Sequence, residues 1–144
     1  MENVVIAGYA RSPFTPANKG DLTKVRPDEL AAQVIKGLIE RTGVNVDDIE
    51  DLIVGCAFPE GEQGLNVARL IGFLSDLPLS VAGTTVNRFC GSSMQAIHMA
   101  AGAIQMDAGD RQGQLRQEPD QARHVQSLLA LGEGAADDQV LDVS

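Results

Sequence analysis

The chain has 144 residues, the length of one ordinary domain, and 44% of them are hydrophobic, enough to build a core. Its formal net charge of -9 argues against nucleic acid or an anionic membrane surface as the main partner. That charge does not exclude an anionic ligand held by local Lys, Arg and backbone N–H groups.

Val4 to Ala7 is a short apolar, β-branched run bounded by Gly8 and a Pro13/Pro16 turn, and it reads as a buried strand. A polar loop follows from Thr15 to Arg26. Pro27 suits the first turn of a helix, and Asp28 and Glu29 suit its positive end. Leu30, Ala31, Val34, Ile35, Leu38 and Ile39 then fall on one stripe at helical spacing, with Gly43 as the C-cap. The acidic run Asp47, Asp48, Glu50 and Asp51 reads as a solvated loop. Leu52 to Ala57 reads as a second buried strand, which makes Cys56 a core residue.

Gly61 and Gly64 mark a loop. Asn66 is placed to cap a helix in which Val67, Leu70, Ile71 and Leu74 share a face, with Pro78 beyond its end. Thr84 to Arg88 is the third expected strand. From Ser92 to Met106 the residues are small or apolar almost all round, the pattern of a buried helix, and Met94, Met99 and Met106 read as packing within it. The alternation of strand and helix predicts an α/β fold with a parallel sheet and right-handed crossovers. After Asp110 the character changes. Residues 111–144 lack aromatics and are rich in Gln, and they read as a poorly ordered tail. Val125, Leu128, Leu129 and Leu131 are its one apolar cluster and suggest a short helix. His124 in this tail stands in no recognisable motif.

The two cysteines, Cys56 and Cys90, form neither a disulfide framework nor a metal-type spacing, and fit a reduced, cytoplasmic compartment. The N-terminus has no basic n-region, no Arg-rich amphipathic leader and no long apolar stretch, so neither a targeting segment nor a membrane span is expected.

Cys90 is the most informative residue. It lies where the third strand gives way to the last helix, at a helix N-terminus. Unpaired N–H groups and the positive end of the dipole favour a thiolate there, and the same groups can hold an oxyanion. A cysteine so placed is either an acyl-transfer nucleophile or a buried structural residue. His98 stands eight residues later, about 12 Å along a helix axis, too far to act as its base. It reads as a packing or surface residue.

The segment Asn87-Arg88-Phe89-Cys90-Gly91-Ser92-Ser93-Met94-Gln95-Ala96-Ile97 closely resembles the nucleophile segment of thiolases. Val4 to Phe14 resembles the N-terminal strand of that family and its Arg-Thr-Pro-Phe turn, with Ser12 in place of Thr. Asp51 to Gly55 resembles its second strand, and Gly64 to Arg69 the start of its next helix. The resemblance covers residues 1–110, and it leans toward the degradative 3-ketoacyl-CoA enzymes. It implies an incomplete N-terminal βαβαβα half of a thiolase, with the nucleophile helix central and buried.

By that resemblance Cys90 attacks the keto carbon of a 3-ketoacyl-CoA. Acetyl-CoA leaves, and the acyl group passes from Cys90 to a fresh CoA. The backbone N–H of Cys90 would help form an oxyanion hole. CoA is then a substrate, and no separate cofactor is implied. The family's remaining machinery consists of a His in an Asn-Glu-Ala-Phe-type context, a His in a Gly-His-Pro motif and a second Cys in a Cys-Gly-Gly-Gly-type loop. None of these motifs occurs in the sequence, and the matched region does not reach the family's CoA-binding loops. The chain by itself is therefore expected to be inactive. Two other readings stand beside this one: an acetoacetyl-CoA-forming enzyme, and a non-catalytic piece acting only by association. The resemblance further implies a homo-oligomer, dimer or tetramer, with the third strand near the dimer interface. Asn87 and Arg88 read as a dimer contact, as loop support, or as a polar pair at the sheet edge.

Overall fold

A computed structural model describes residues 4–106, 108 and 125–129. Three parallel strands form its sheet: β1 (Ile49–Gly55), β2 (Ala82–Val86) and β3 (Val125–Leu129), in the order β2-β1-β3. Three helices pack on them: α1 (Pro27–Thr42), α2 (Val67–Leu74) and α3 (Ser92–Met106). The architecture is the α/β one expected from the alternating pattern.

Side chains alternate across β1 with the period of two that any strand imposes. Leu52 and Val54, with Cys56 just past the strand, face the main core, where they meet Ala31 and Ile35 of α1 and Val67, Ala68 and Ile71 of α2. Ile53 faces the other way and packs with Ala96 and Ala100 of α3. Helices α1 and α2 therefore cover one face of the sheet and α3 the other.

Helix α1 has the bounds its sequence signals predict. Pro27 opens it, and Gly43 closes it at φ 68°, its N–H donating to Ile39 O at 2.8 Å. Asp28, in the first turn, is buried and paired with Arg26 at 2.8 Å, and its carboxylate also accepts from the Glu29 N–H. Burial alone would raise the Asp28 carboxyl. The Arg26 hydrogen bond and the Glu29 N–H outweigh it, and the group lies below its ordinary value.

Five expectations are corrected. Val4–Ala7 is not in the sheet. It pairs with no strand, with Val5 75% and Ile6 70% exposed, and the edge of β1 away from β2 is held by β3. Val125–Leu129 is that strand rather than part of a helix, since a free ladder edge supplies the backbone partners that an isolated short helix lacks. The acidic run does not stay in a loop. Asp47 and Asp48 are exposed, but β1 begins at Ile49, so Glu50 and Asp51 enter the strand and Glu50 is buried. On α2 the buried face is Val67, Ala68, Ile71 and Gly72, while Leu70 and Leu74 are exposed, because the close contact with β2 is made by the small residues. Helix α3 is buried on one side only. Ser92, Ser93, Ala96 and Ala100 face the sheet, and Met94, Met99 and Met106 are exposed, as no element among the described residues covers them.

Candidate active site

The ends of β1 and β2 meet at the start of α3, and the turn 87–91 lies there. Cys56 N–H donates to Val86 O at 3.0 Å, which carries the ladder one residue beyond both strands. The strand expected at Thr84 to Arg88 lies two residues earlier, at Ala82–Val86, so Asn87 and Arg88 belong to the turn.

Gly55 fixes how closely α3 approaches. A Cβ there would stand 2.4 Å from Ser93 N and 2.5 Å from Ser92 C, both backbone atoms. Only glycine lets the first turn of α3 rest on the end of β1. A parallel contact seats α2, where a Cβ on Gly83 would meet Arg69 N at 2.7 Å. Thr85 then locks α2 to β2. Its hydroxyl accepts from Ala68 N–H at 3.0 Å and donates to Asn66 Oδ1 at 2.8 Å. Asn66 occupies the N-cap position as expected, but its side chain bridges to β2, donating to Gly83 O, and the capping acceptor is supplied by Thr85.

The turn around Cys90 is held by a closed set of bonds. Asn87 Nδ2 donates to Ala57 O at 3.0 Å and its Oδ1 accepts from Phe89 N–H at 2.8 Å. Ser92 Oγ accepts from Arg88 N–H at 2.9 Å and donates to Phe89 O at 2.6 Å. Gly91 N–H donates to Arg88 O and Ser92 N–H to Phe89 O, each at 3.0 Å. Arg88 reaches forward to Gln95 Oε1 at 2.9 Å. Asn87 and Arg88 thus support the loop. Phe89 sits at φ 45°, a left-handed conformation costly for a bulky residue, by about 1–3 kcal/mol. That strain is held by the bonds on either side.

Of the five amides from Arg88 to Ser92, four are engaged within this set. Of these five, the Cys90 N–H is the one with no acceptor among the described residues. Cys90 is also exposed, whereas Cys56 is buried in the core. One exposed residue therefore offers both a thiol and an uncommitted amide, two residues before the first turn of α3. That combination suits nucleophilic attack and the binding of an oxyanion.

His98 is exposed on α3, a surface residue, and His124 lies outside the described residues. Among the described residues no cluster of three His, Cys, Asp or Glu side chains is arranged to hold a metal, and no helix is long and apolar enough to cross a membrane. Loop support was one of three sequence readings of Asn87 and Arg88; sequence reasoning missed Ser92 as the clasp of the turn and Gly55 as the seat of α3. The signal for Gly55 was a glycine ending an apolar strand, which marks close backbone approach.

Residues 4–112 match the family model described as the N-terminal domain of thiolase. A 3-ketoacyl-CoA thiolase of Bacillus subtilis is 49% identical over 110 residues, which are 76% of this chain and 28% of that protein. A 3-ketoacyl-CoA thiolase of Acinetobacter baumannii is 48% identical over 108 residues, 75% of this chain and again 28% of the relative. The chain thus spans little more than a quarter of the length of the curated relatives it matches. Among solved structures, Acat5 thiolase from Ascaris suum in complex with coenzyme A aligns with a TM-score of 0.60 and 36% identity, covering 65% of this chain and 24% of that one.

Proposed function

The chain belongs to the thiolase family, and on that premise we propose that it carries the nucleophile turn of a thiolase-type acyltransferase acting on 3-ketoacyl-CoA. Cys90 is the nucleophile. Its thiolate adds to the keto carbon, and the resulting alkoxide takes the Cys90 N–H as one of its donors. Collapse breaks the Cα–Cβ bond of the substrate. Acetyl-CoA departs as its enolate and takes up a proton, and the acyl group stays on Cys90 as a thioester. The thiol of a second CoA then attacks that thioester, yielding the shortened acyl-CoA and free Cys90. The observation that carries the reading is the uncommitted amide on the same exposed residue as the thiol.

Cleavage is the favoured direction because relatives 49% and 48% identical to this chain carry the name 3-ketoacyl-CoA thiolase. Fatty-acid β-oxidation in the cytoplasm, by a homo-oligomeric enzyme, is the setting this reading implies. Among the described residues no side chain hydrogen-bonds the Cys90 sulfur. By the resemblance, the base and the second cysteine of the cycle belong to motifs that this sequence does not contain, and the 144 residues alone are expected not to turn over.

A chimaera tests this. Residues 4–110 replace the matching segment of the Bacillus subtilis 3-ketoacyl-CoA thiolase, and thiolysis of a 3-ketoacyl-CoA is followed. The chimaera is expected to cleave its substrate, and Cys90→Ala to abolish cleavage. A folded chimaera without activity, or an active Cys90→Ala variant, would overturn the assignment. The unfused chain should show no turnover in the same assay.

A further inference from the structure

We propose that Phe89, with Phe58 beside the same turn, forms an apolar wall for the acyl chain carried on Cys90, so that the nucleophile turn itself favours longer acyl groups. This role rests on Cys90 receiving the acyl group, as in the proposed function. Phe89 directly precedes Cys90 and is 69% exposed, at φ 45°. A glycine would adopt that backbone without strain, and a bulky residue is rare there. The conformation is nevertheless fixed from both sides. Phe89 N–H donates to Asn87 Oδ1 at 2.8 Å, and the Phe89 carbonyl accepts from Ser92 Oγ at 2.6 Å and from Ser92 N–H at 3.0 Å. The turn thus holds a large apolar side chain in the open next to the thiol, at a conformational cost of the kind that collects at functional sites.

Phe58 adds a second ring at the same end of the sheet, 55% exposed. It follows Ala57, whose carbonyl accepts from Asn87 Nδ2 at 3.0 Å, so Asn87 ties both phenylalanine segments together. An acyl group on Cys90 is tethered through its thioester, so its chain lies within reach of the residues next to the sulfur. Phe89 is the adjoining one. Taking a methylene fully out of water strengthens binding about fourfold, and a wall on one side of the chain supplies about half that free energy, or about twofold. A hexanoyl group exceeds an acetyl group by four methylenes, which together amount to about tenfold.

The chimaera tests this through a ratio of kcat/KM values, that for 3-ketooctanoyl-CoA, which leaves hexanoyl on Cys90, over that for acetoacetyl-CoA, which leaves acetyl. Phe89→Ala should lower the ratio about tenfold, and Phe58→Ala should lower it less. Leu79→Ala removes an exposed side chain that precedes the other end of β2 and should leave the ratio unchanged. An unchanged ratio in Phe89→Ala, even with both substrates cleaved more slowly, overturns the wall and leaves Cys90 as the nucleophile. Cleavage that survives Cys90→Ala overturns the nucleophile instead. A second measurement needs no turnover. In the full chain, alkylation of Cys90 by N-hexyl iodoacetamide and by iodoacetamide is followed, each rate taken relative to that of glutathione. The hexyl reagent should be favoured several-fold, and the preference should vanish in Phe89→Ala. No preference in the parent chain, or one that persists in Phe89→Ala, overturns the proposal.

Discussion

Replacing Gly55 with Ala puts the geometry of the nucleophile turn under direct strain. The new Cβ would lie 2.4 Å from Ser93 N, 2.5 Å from Ser92 C and 2.7 Å from Ser93 Cα. All three are backbone atoms of the first turn of α3, so no side chain can swing aside. Ordinary contact begins near 3.4 Å, so α3 must retreat by about 1 Å or β1 must bend, and overpacking of this kind costs ~1–3 kcal/mol. The retreat also drags Ser92, the clasp of the turn, away from Arg88 N–H and Phe89 O. Gly37→Ala is the internal control. Gly37 lies mid-helix in α1 with open space around it, so the same added methyl should stabilise by about 0.5–1 kcal/mol through helix propensity. Urea unfolding of the three proteins gives the comparison, with Gly55→Ala falling and Gly37→Ala rising in midpoint. A Gly55→Ala midpoint equal to the parent's would refute the account of how α3 is seated. In the chimaera, a 1 Å misplacement of the nucleophile should also lower turnover by about 100-fold.

Three further outcomes follow from the same geometry. Thr85→Val removes the acceptor of Ala68 N–H and the donor to Asn66, and should cost ~1–3 kcal/mol in urea unfolding, with Thr85→Ser recovering most of it. Asp28→Asn should cost ~1.5–3 kcal/mol near neutral pH. Because the folded carboxyl of Asp28 lies below the ordinary 3.8, its stabilisation is complete above that value and is lost as pH falls through the lower folded value. The gap between Asp28→Asn and the parent should therefore close in acid unfolding series and stay constant from pH 5 to 7. Brief treatment of the chain with iodoacetamide should label Cys90 several-fold faster than Cys56, since one thiol is exposed and the other buried; equal labelling in native buffer and in denaturant would contradict the described turn.

Periodicity and punctuation made much of the fold legible. The stripe of α1 between Pro27 and Gly43, and the apolar run of α3 from Ser92 to Met106, set both helices to the residue. Cys90 was picked out as the candidate nucleophile by the resemblance of Asn-Arg-Phe-Cys-Gly-Ser-Ser-Met to the thiolase nucleophile segment; its place between a strand and a helix alone left a structural cysteine open. What stayed hidden depends on tertiary partners. Val4–Ala7 has strand composition, but a strand needs a free edge, and only the assembled sheet reveals which segment holds it. Met94, Met99 and Met106 are apolar, yet burial depends on what covers them. Glu50 is charged, yet the ladder carries it into the sheet. The bond from Asn87 to Ala57 spans 30 residues and no local pattern encodes it, whereas those of Ser92 to Arg88 and Phe89 are local.

The central claim is that Cys90 receives the acyl group. Acid quenching of the chimaera during incubation with acetyl-CoA, followed by peptide mapping with mass spectrometry, tests it most directly. The account predicts an acetyl adduct on the peptide containing Cys90, absent from Cys90→Ala and never on Cys56. An active chimaera with its adduct on Cys56 or any other residue of the segment, or with Cys90 unmodified throughout turnover, would contradict it.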